Sequence, residues 1–487
     1  MTPFPASFRG SSEEKSVHSV AVRCPTPEAR ARLVVSAHGI MSGTELQPLN
    51  VTKKDEEALE VEEEAPKDKG NLVFLIILLN GIGTLMPWNM LITISYDYFE
   101  SYKMLANSTI DMETGKVSGT PTTFSSNFQS FQTIASQVPN LLLNLLNIFI
   151  VVKGGLASRI TVGLSIVAVC VVTTMGFIYV DTNSWLTLFF VLTIVTIIVL
   201  NGANGVYQNS IFGLASELPF KYTNAVIIGN NLCGTFVTLL SMTTKAMTKN
   251  ILDRSFAYFS IALVTLGLCL FSFLILQKQR FYQFYSTRAA RQRSKNEESS
   301  EGKGFATYVA TFKEAFPQLV NVFLVFFVTL SIFPGVMMYI KDEKKGGTYD
   351  FPLPKNYFMD VTTFLQFNVF AFIGSIVAGK KQWPAPNRLW IPVYLRLLYI
   401  PFFAFCNYLP ETRTLPVLFE STWLFVIVGA TMSFGSGYFS GLAMMYSSQT
   451  VDASRAQVAG MMAGFFLISG IVSGLIFTMV IKFVVTA

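Results

Sequence analysis

Charge is scarce in this chain. Only 14% of its 487 residues are Asp, Glu, Lys or Arg, against about 25% in a typical soluble domain. Histidine is scarcer still, and the only two, His18 and His38, lie near the N-terminus. The apolar body therefore has no imidazole for catalysis or metal binding. The five cysteines (Cys24, Cys170, Cys233, Cys269, Cys406) show no spacing that suggests a disulfide framework or a metal site. There is no G-x-x-x-x-G-K-[ST] loop for ATP. The apolar runs carry no nucleophile–base pair and no Asp or Glu deep within them; Asp97, Glu100, Glu217, Asp360 and Glu420 sit at their ends. Enzymatic chemistry, a bound metal or cofactor, and coupling to a titrating intramembrane carboxylate are thus not expected. The net charge of +6 sits in connections between apolar runs, so no basic face for nucleic acid is expected either.

Apolar residues make up 51% of the chain, with 44 phenylalanines. Residues 1–70 are polar, acidic toward the end and poor in aromatics. They lack the apolar core of a cleaved signal peptide and read as a disordered cytoplasmic tail. From residue 71, runs long enough to cross about 30 Å of hydrocarbon cover roughly 72–95, 129–152, 160–180, 185–212, 223–246, 256–277, 317–340, 358–379, 389–408, 420–447 and 456–485. Backbone amides in lipid must bond internally, so each run is expected to be a helix. Pro87, Pro139, Pro334, Pro392 and Pro401 then mark kinks. The connection 278–316 is polar and basic at its start. The fold class is an all-α polytopic membrane protein of eleven spans. A six-helix bundle (71–277) and a five-helix bundle (317–487) flank a cytoplasmic central loop (278–316), the 6+5 layout of two-bundle carriers.

With the N-terminus in the cytoplasm, the connections on that side carry more Lys and Arg than those outside. The bias rests on Lys278, Arg280, Arg288, Arg291, Arg293, Lys295, Lys303 and Lys313 in the central loop. The sequon Asn107-Ser108-Thr109 falls in the first outer connection, where glycosylation is possible.

Polar groups inside spans are costly in hydrocarbon and face a bundle interior or a water-filled path. Here they are mostly neutral amides: Asn80 and Asn89; Gln132, Gln137, Asn140, Asn144 and Asn147; Asn201, Asn204, Gln208 and Asn209 beside Ser210; Asn230 and Asn231; Gln366 and Asn368. Arg396 in the ninth run is the exception. Singly, each reads as interhelical glue. As a group with aromatics beside them, they suit a cavity for a neutral, planar, hydrogen-bonding solute.

The first span contains Gly81-Ile82-Gly83-Thr84-Leu85-Met86-Pro87-Trp88-Asn89. This block resembles the G-x-G-x-x-x-P-W-N signature of the equilibrative nucleoside transporter family. Further blocks follow in the family's order: Gln208-Asn209-Ser210-Ile211-Phe212-Gly213, Phe333-Pro334, Phe367-Asn368, Ile400-Pro401 with Cys406-Asn407, and Ala456-Gln457-Val458-Ala459-Gly460. The resemblance spans 71–487. It implies a major-facilitator-like bundle with alternating access around one central site, and nucleosides or nucleobases as cargo. It implies that Leu85, Trp88, Asn89 and Ile92 line that site, that Gln208 hydrogen-bonds the base, and that Phe333, Asn368 and Ile471 close it from the other half. Gln137 and Ser210 join the candidate site as polar groups within spans.

The eighth span departs from the family pattern F-N-x-x-D-x-x-G-R. Ala371 stands at the Asp and Ser375 at the Arg, two residues expected to hold the ribose. Losing both together avoids leaving one buried charge unpaired, a cost of about 3–5 kcal/mol. The function expected is facilitative nucleoside transport with altered ribose recognition. The alternatives are a nucleobase or other small-solute carrier of the same fold, or a receptor or scaffold that no longer transports. The protein is expected in the plasma membrane with lipid and a small-molecule substrate as its partners, or alternatively in an endolysosomal membrane.

Overall fold

The computed structural model describes residues 65–487 apart from 112–116, 150–154, 249, 299–303, 343–350 and 353–354. The tail expected over 1–70 lies outside the described residues except for its last six.

Helix α1 (Leu72–Ile94) continues into a π-helical turn, Ser95–Lys103. A short antiparallel hairpin follows, β1 (Ala106–Ile110) with β2 (Val117–Thr120). Then come α2 (Thr123–Phe149), α3 (Gly155–Gly176), α4 (Leu186–Glu217), α5 (Lys221–Met247) and α6 (Ile251–Leu276). The central connection is itself helical over α7 (Arg280–Glu298), and α8 (Gly304–Ile332) begins well before the apolar run it carries. The second half contains α9 (Lys355–Met359), a π-helical turn Asp360–Leu365 and α10 (Gln366–Lys380). It ends with α11 (Trp390–Leu395), α12 (Tyr399–Ala404), α13 (Thr422–Gln449) and α14 (Ala456–Thr486).

Among the described residues, nine helical segments are long and apolar enough to cross a membrane. Each coincides with a run read from the sequence. The two remaining runs depart for physical reasons. Helix α2 has ample length, but Gln132, Ser136, Gln137, Asn140, Asn144 and Asn147 recur at helical spacing and are all buried, which lowers its hydropathy. Its opposite face exposes Ile134, Val138, Leu142, Leu146 and Phe149. This inverted amphipathicity turns polar groups inward and apolar ones toward lipid. The run 389–408 is broken into α11 and α12 by a 3-10 turn at Arg396–Leu398.

Close helix approaches follow the glycines. A Cβ on Gly81 would sit 2.5 Å from the carbonyl oxygen of Val226, and one on Gly83 2.6 Å from Cys269 Sγ. The G-x-G of α1 therefore presses that helix onto α5 and α6. Asp68 caps α1 by accepting from the backbone of Val73 (3.0 Å) and Phe74 (3.1 Å). It also accepts from the Tyr222 hydroxyl of α5 (3.0 Å). The Tyr222 ring packs on Phe281 of α7 at 5.2 Å. The N-terminal ends of α1, α5 and α7 are thus joined. Helix α7 also packs against the turn Ala453–Arg455 of the second half.

Candidate functional site

The two halves meet along α2 and α4 against α14, and along α5 against α10 and α13. At the end nearest Asp68 the seam is tight. Asn224 of α5 donates to the Ser375 carbonyl of α10 (2.8 Å), and Asn209 of α4 donates to the Met461 carbonyl of α14 (2.7 Å). Gly460 lies directly against Ser216, leaving no room for a Cβ. One turn further along, Asn231 donates to the Ala371 carbonyl (3.4 Å).

The residues expected to line a site divide between this seam and the region beyond it. Leu85, Trp88, Asn89 and Ile92 have one helical spacing, so they share a face of α1, and all four are half-buried. The Asn89 side chain donates to Cys233 Sγ (3.6 Å). Phe333 follows α8 through a cis bond to Pro334 and stacks on Phe367 at 3.7 Å. Asn368 reaches across to α5, where it meets Gly234 and donates to Thr238 Oγ1 (3.4 Å). Ile471 is half-buried on α14. Gln137 is buried on α2.

Three expected residues sit in packing seams. Ser210 accepts from Asn147 (3.1 Å) between α2 and α4. Ala371 is fully buried, its carbonyl directly against Gly437 of α13. Ser375 is also fully buried, and its hydroxyl donates to the Phe372 carbonyl of its own helix (2.8 Å).

Gln208 is different. It is 1% exposed, yet neither amide atom has a hydrogen-bond partner among the described residues. An unmatched buried amide costs about 1–3 kcal/mol. Asn204, one turn earlier on α4, donates to the Thr84 carbonyl of α1 (2.9 Å) but leaves its own oxygen unmatched. The oxygen of Asn140 is unmatched too. Gln208 was legible as a site residue. The two asparagine oxygens were not, because sequence shows an amide and not which of its ends is occupied. A separate cleft lined by Leu91, Phe99, Phe177, Phe189 and Ile197 is mostly apolar and barely water-sized.

The family model "Nucleoside transporter" matches residues 194–483, more than half of the chain. The chain belongs to the equilibrative nucleoside transporter family. It is 28% identical to human equilibrative nucleoside transporter 1 over 457 residues, covering 86% of this chain and 99% of that one. It is 27% identical to rat equilibrative nucleoside transporter 2 over 451 residues, covering 84% and 96%. Among solved structures it is similar to the major facilitator superfamily proton:xylose symporter XylE, with a TM-score of 0.57 at 10% identity, covering 86% of this chain and 90% of that one. This nucleoside transporter is therefore an all-helical membrane protein of major-facilitator-like fold, and it is not an enzyme.

Proposed function

We propose that this transporter carries nucleosides down their concentration gradient by alternating access at a central site between its halves. The observation that carries this reading is the unmatched amide of Gln208, buried on α4 close to the seam with α14. A group that costs stability when empty and offers both a donor and an acceptor suits the edge of a nucleobase. In this reading Leu85, Trp88, Asn89 and Ile92 form the wall from α1, while Phe333, Asn368 and Ile471 close the site from the second half. Gln137 and Ser210 support the wall from behind. The seam of Asn224, Asn209 and Gly460 is the closed gate, and α2 and the broken α11–α12 pair complete eleven spans in a 6+5 arrangement. Downhill flux fits the lack of Asp, Glu or His deep within the spans.

Ala371 and Ser375, both buried in packing seams, put no charge on α10 where the family pattern carries a pair. We assign to this change a weaker hold on the ribose. Asn107, exposed on β1, is placed outside and glycosylated, with the N-terminus and α7 in the cytoplasm of a plasma-membrane protein.

Uptake of radiolabelled adenosine, uridine and adenine in cells lacking endogenous carriers tests the reading. Saturable nucleoside uptake that proceeds without a sodium or proton gradient is expected, with adenine also accepted. Uptake that collapses when the gradients are removed would overturn the downhill mechanism. No uptake of any of the three by surface-expressed protein would favour a receptor or scaffold.

A further inference from the structure

The unmatched groups around Gln208 are unequal in kind. The Asn204 amide is pinned, because its nitrogen donates to the Thr84 carbonyl at 2.9 Å. Reversing it would set two oxygens against each other, so its oxygen is the end left over. That oxygen has no partner among the described residues, and Asn204 is 2% exposed. The Asn140 oxygen approaches α4 beside Gly205, where a Cβ would sit 2.6 Å from it, and it is unmatched as well. In helical projection Gln208 lies between positions 204 and 205, so the three amides border one region. Gln208 and Asn140 each offer an oxygen and a nitrogen without a hydrogen bond among the described residues, so the pinned Asn204 oxygen tips the balance toward acceptors.

A buried acceptor is satisfied only by a donor. Adenine and cytosine carry an exocyclic amine at the position where hypoxanthine and uracil carry an oxygen. Against a surplus of acceptors, the amine gains partners and the oxygen meets a repelling lone pair. Resting on the reading of Gln208 as the base contact, we infer that Asn204 makes this transporter selective for amino-bearing bases over their oxo counterparts.

The test compares uptake efficiency for two matched pairs, adenosine with inosine and cytidine with uridine, normalised to surface expression. The native transporter should favour the amine of each pair by about tenfold, the scale of one well-made hydrogen bond. Asn204→Leu keeps the volume and removes the acceptor, so each ratio should fall toward one, chiefly through a higher KM for the amine. If Asn204 served only to hold α4 on α1, the variant would depress both members of a pair equally and leave the ratios unmoved. Asn204→Met, which also lacks the amide acceptor, is the second variant, should Asn204→Leu fail to reach the surface. Native ratios near or below one, or ratios unchanged in the variants, would overturn the inference. A Gln208→Ala variant with unaltered KM for all four nucleosides would instead overturn the base-contact reading on which it rests.

Discussion

The two halves of the molecule differ in the polar groups that their spans bury. The N-terminal half buries neutral amides on α1, α2, α4 and α5, and several are left with an atom unmatched. The C-terminal half also leaves the oxygens of Asn321 and Gln366 unmatched, but its spans bury a full charge as well. Arg396 is 2% exposed, with Nη1 donating to the Met432 carbonyl (3.0 Å) and Nη2 to Thr329 Oγ1 (2.9 Å). Thr329 in turn donates to the Val325 carbonyl (2.6 Å) and lies 3.0 Å from Ser436 Oγ. No carboxylate pairs with Arg396 among the described residues. Its guanidinium also lies over the Tyr399 ring at 5.9 Å. A delocalised cation holding three helices through fixed donors makes a strut. Amides left half-matched make a surface that a solute can complete. The difference suggests that the second half frames the site while the first half reads what enters it.

The largest effect that could break this division is expected at Ala371. That residue is sealed between α10 and α13, so Ala371→Asp alone would bury an unpaired charge at a cost of about 3–5 kcal/mol. Loss of surface expression is expected. The single change Ser375→Arg should behave alike. The double change places the two charges one turn apart on α10 and should recover expression in part. It should also raise the preference for adenosine over adenine. An unmoved ratio, in a native protein that already strongly prefers adenosine, would mean that the ribose is held elsewhere. Next in size is Arg396→Ala, which removes the strut and leaves a cavity, for a loss of about 2–5 kcal/mol. Thermal unfolding in detergent should shift down while the KM of the surviving transporter stays within about twofold. A changed substrate preference at normal stability would place Arg396 in the site and erase the contrast between halves.

Sequence reading recovered most of the helices because hydropathy measures transfer into lipid, and nine segments satisfy that criterion outright. It blurred where helices serve protein rather than lipid. Asn144 and Asn147 on the polar face of α2 find their partners on α4, and Arg396 finds Thr329 on α8; neither partner is visible in a linear string. The π-helical turns at Ser95–Lys103 and Asp360–Leu365 and the helix α7 also escaped, since backbone register is a tertiary outcome. Of the candidate site, the α1 face was legible from the resemblance to the family signature and Gln208 also from its cost in hydrocarbon. Ser210 and Ser375 looked equally polar in sequence, but a bond from Asn147 of α2 absorbs the first and a bond within its own helix the second.

A third change sharpens the contrast because its sign is reversed. The Gln208 amide has no partner among the described residues, so Gln208→Leu should raise thermal stability by about 1 kcal/mol while weakening nucleoside binding by about 1–3 kcal/mol. Stability and affinity would then move in opposite directions at Gln208, whereas at Arg396 only stability moves. A Gln208→Leu protein that is less stable and transports with native KM would show that the amide is a strut as well.

The smallest expected effect decides which side of the membrane each end of this comparison faces. Asn107 is exposed on β1 with a left-handed φ of 51°, a conformation asparagine tolerates better than most residues. It stands beyond the end of α1 opposite to Asp68, and therefore beyond the end opposite to the sealed seam. A glycan there would put the half-buried residues of α1 toward the outside and α7, with the seam beneath it, toward the cytoplasm. Asn107→Gln should increase gel mobility by the same amount as enzymatic deglycosylation of the native protein, in a mammalian or insect host. Uptake should stay within about twofold, because β1 carries no part of either bundle. An unchanged mobility would count against this orientation. The sealed seam would then have no assigned side, although the chemical contrast between the two halves would stand.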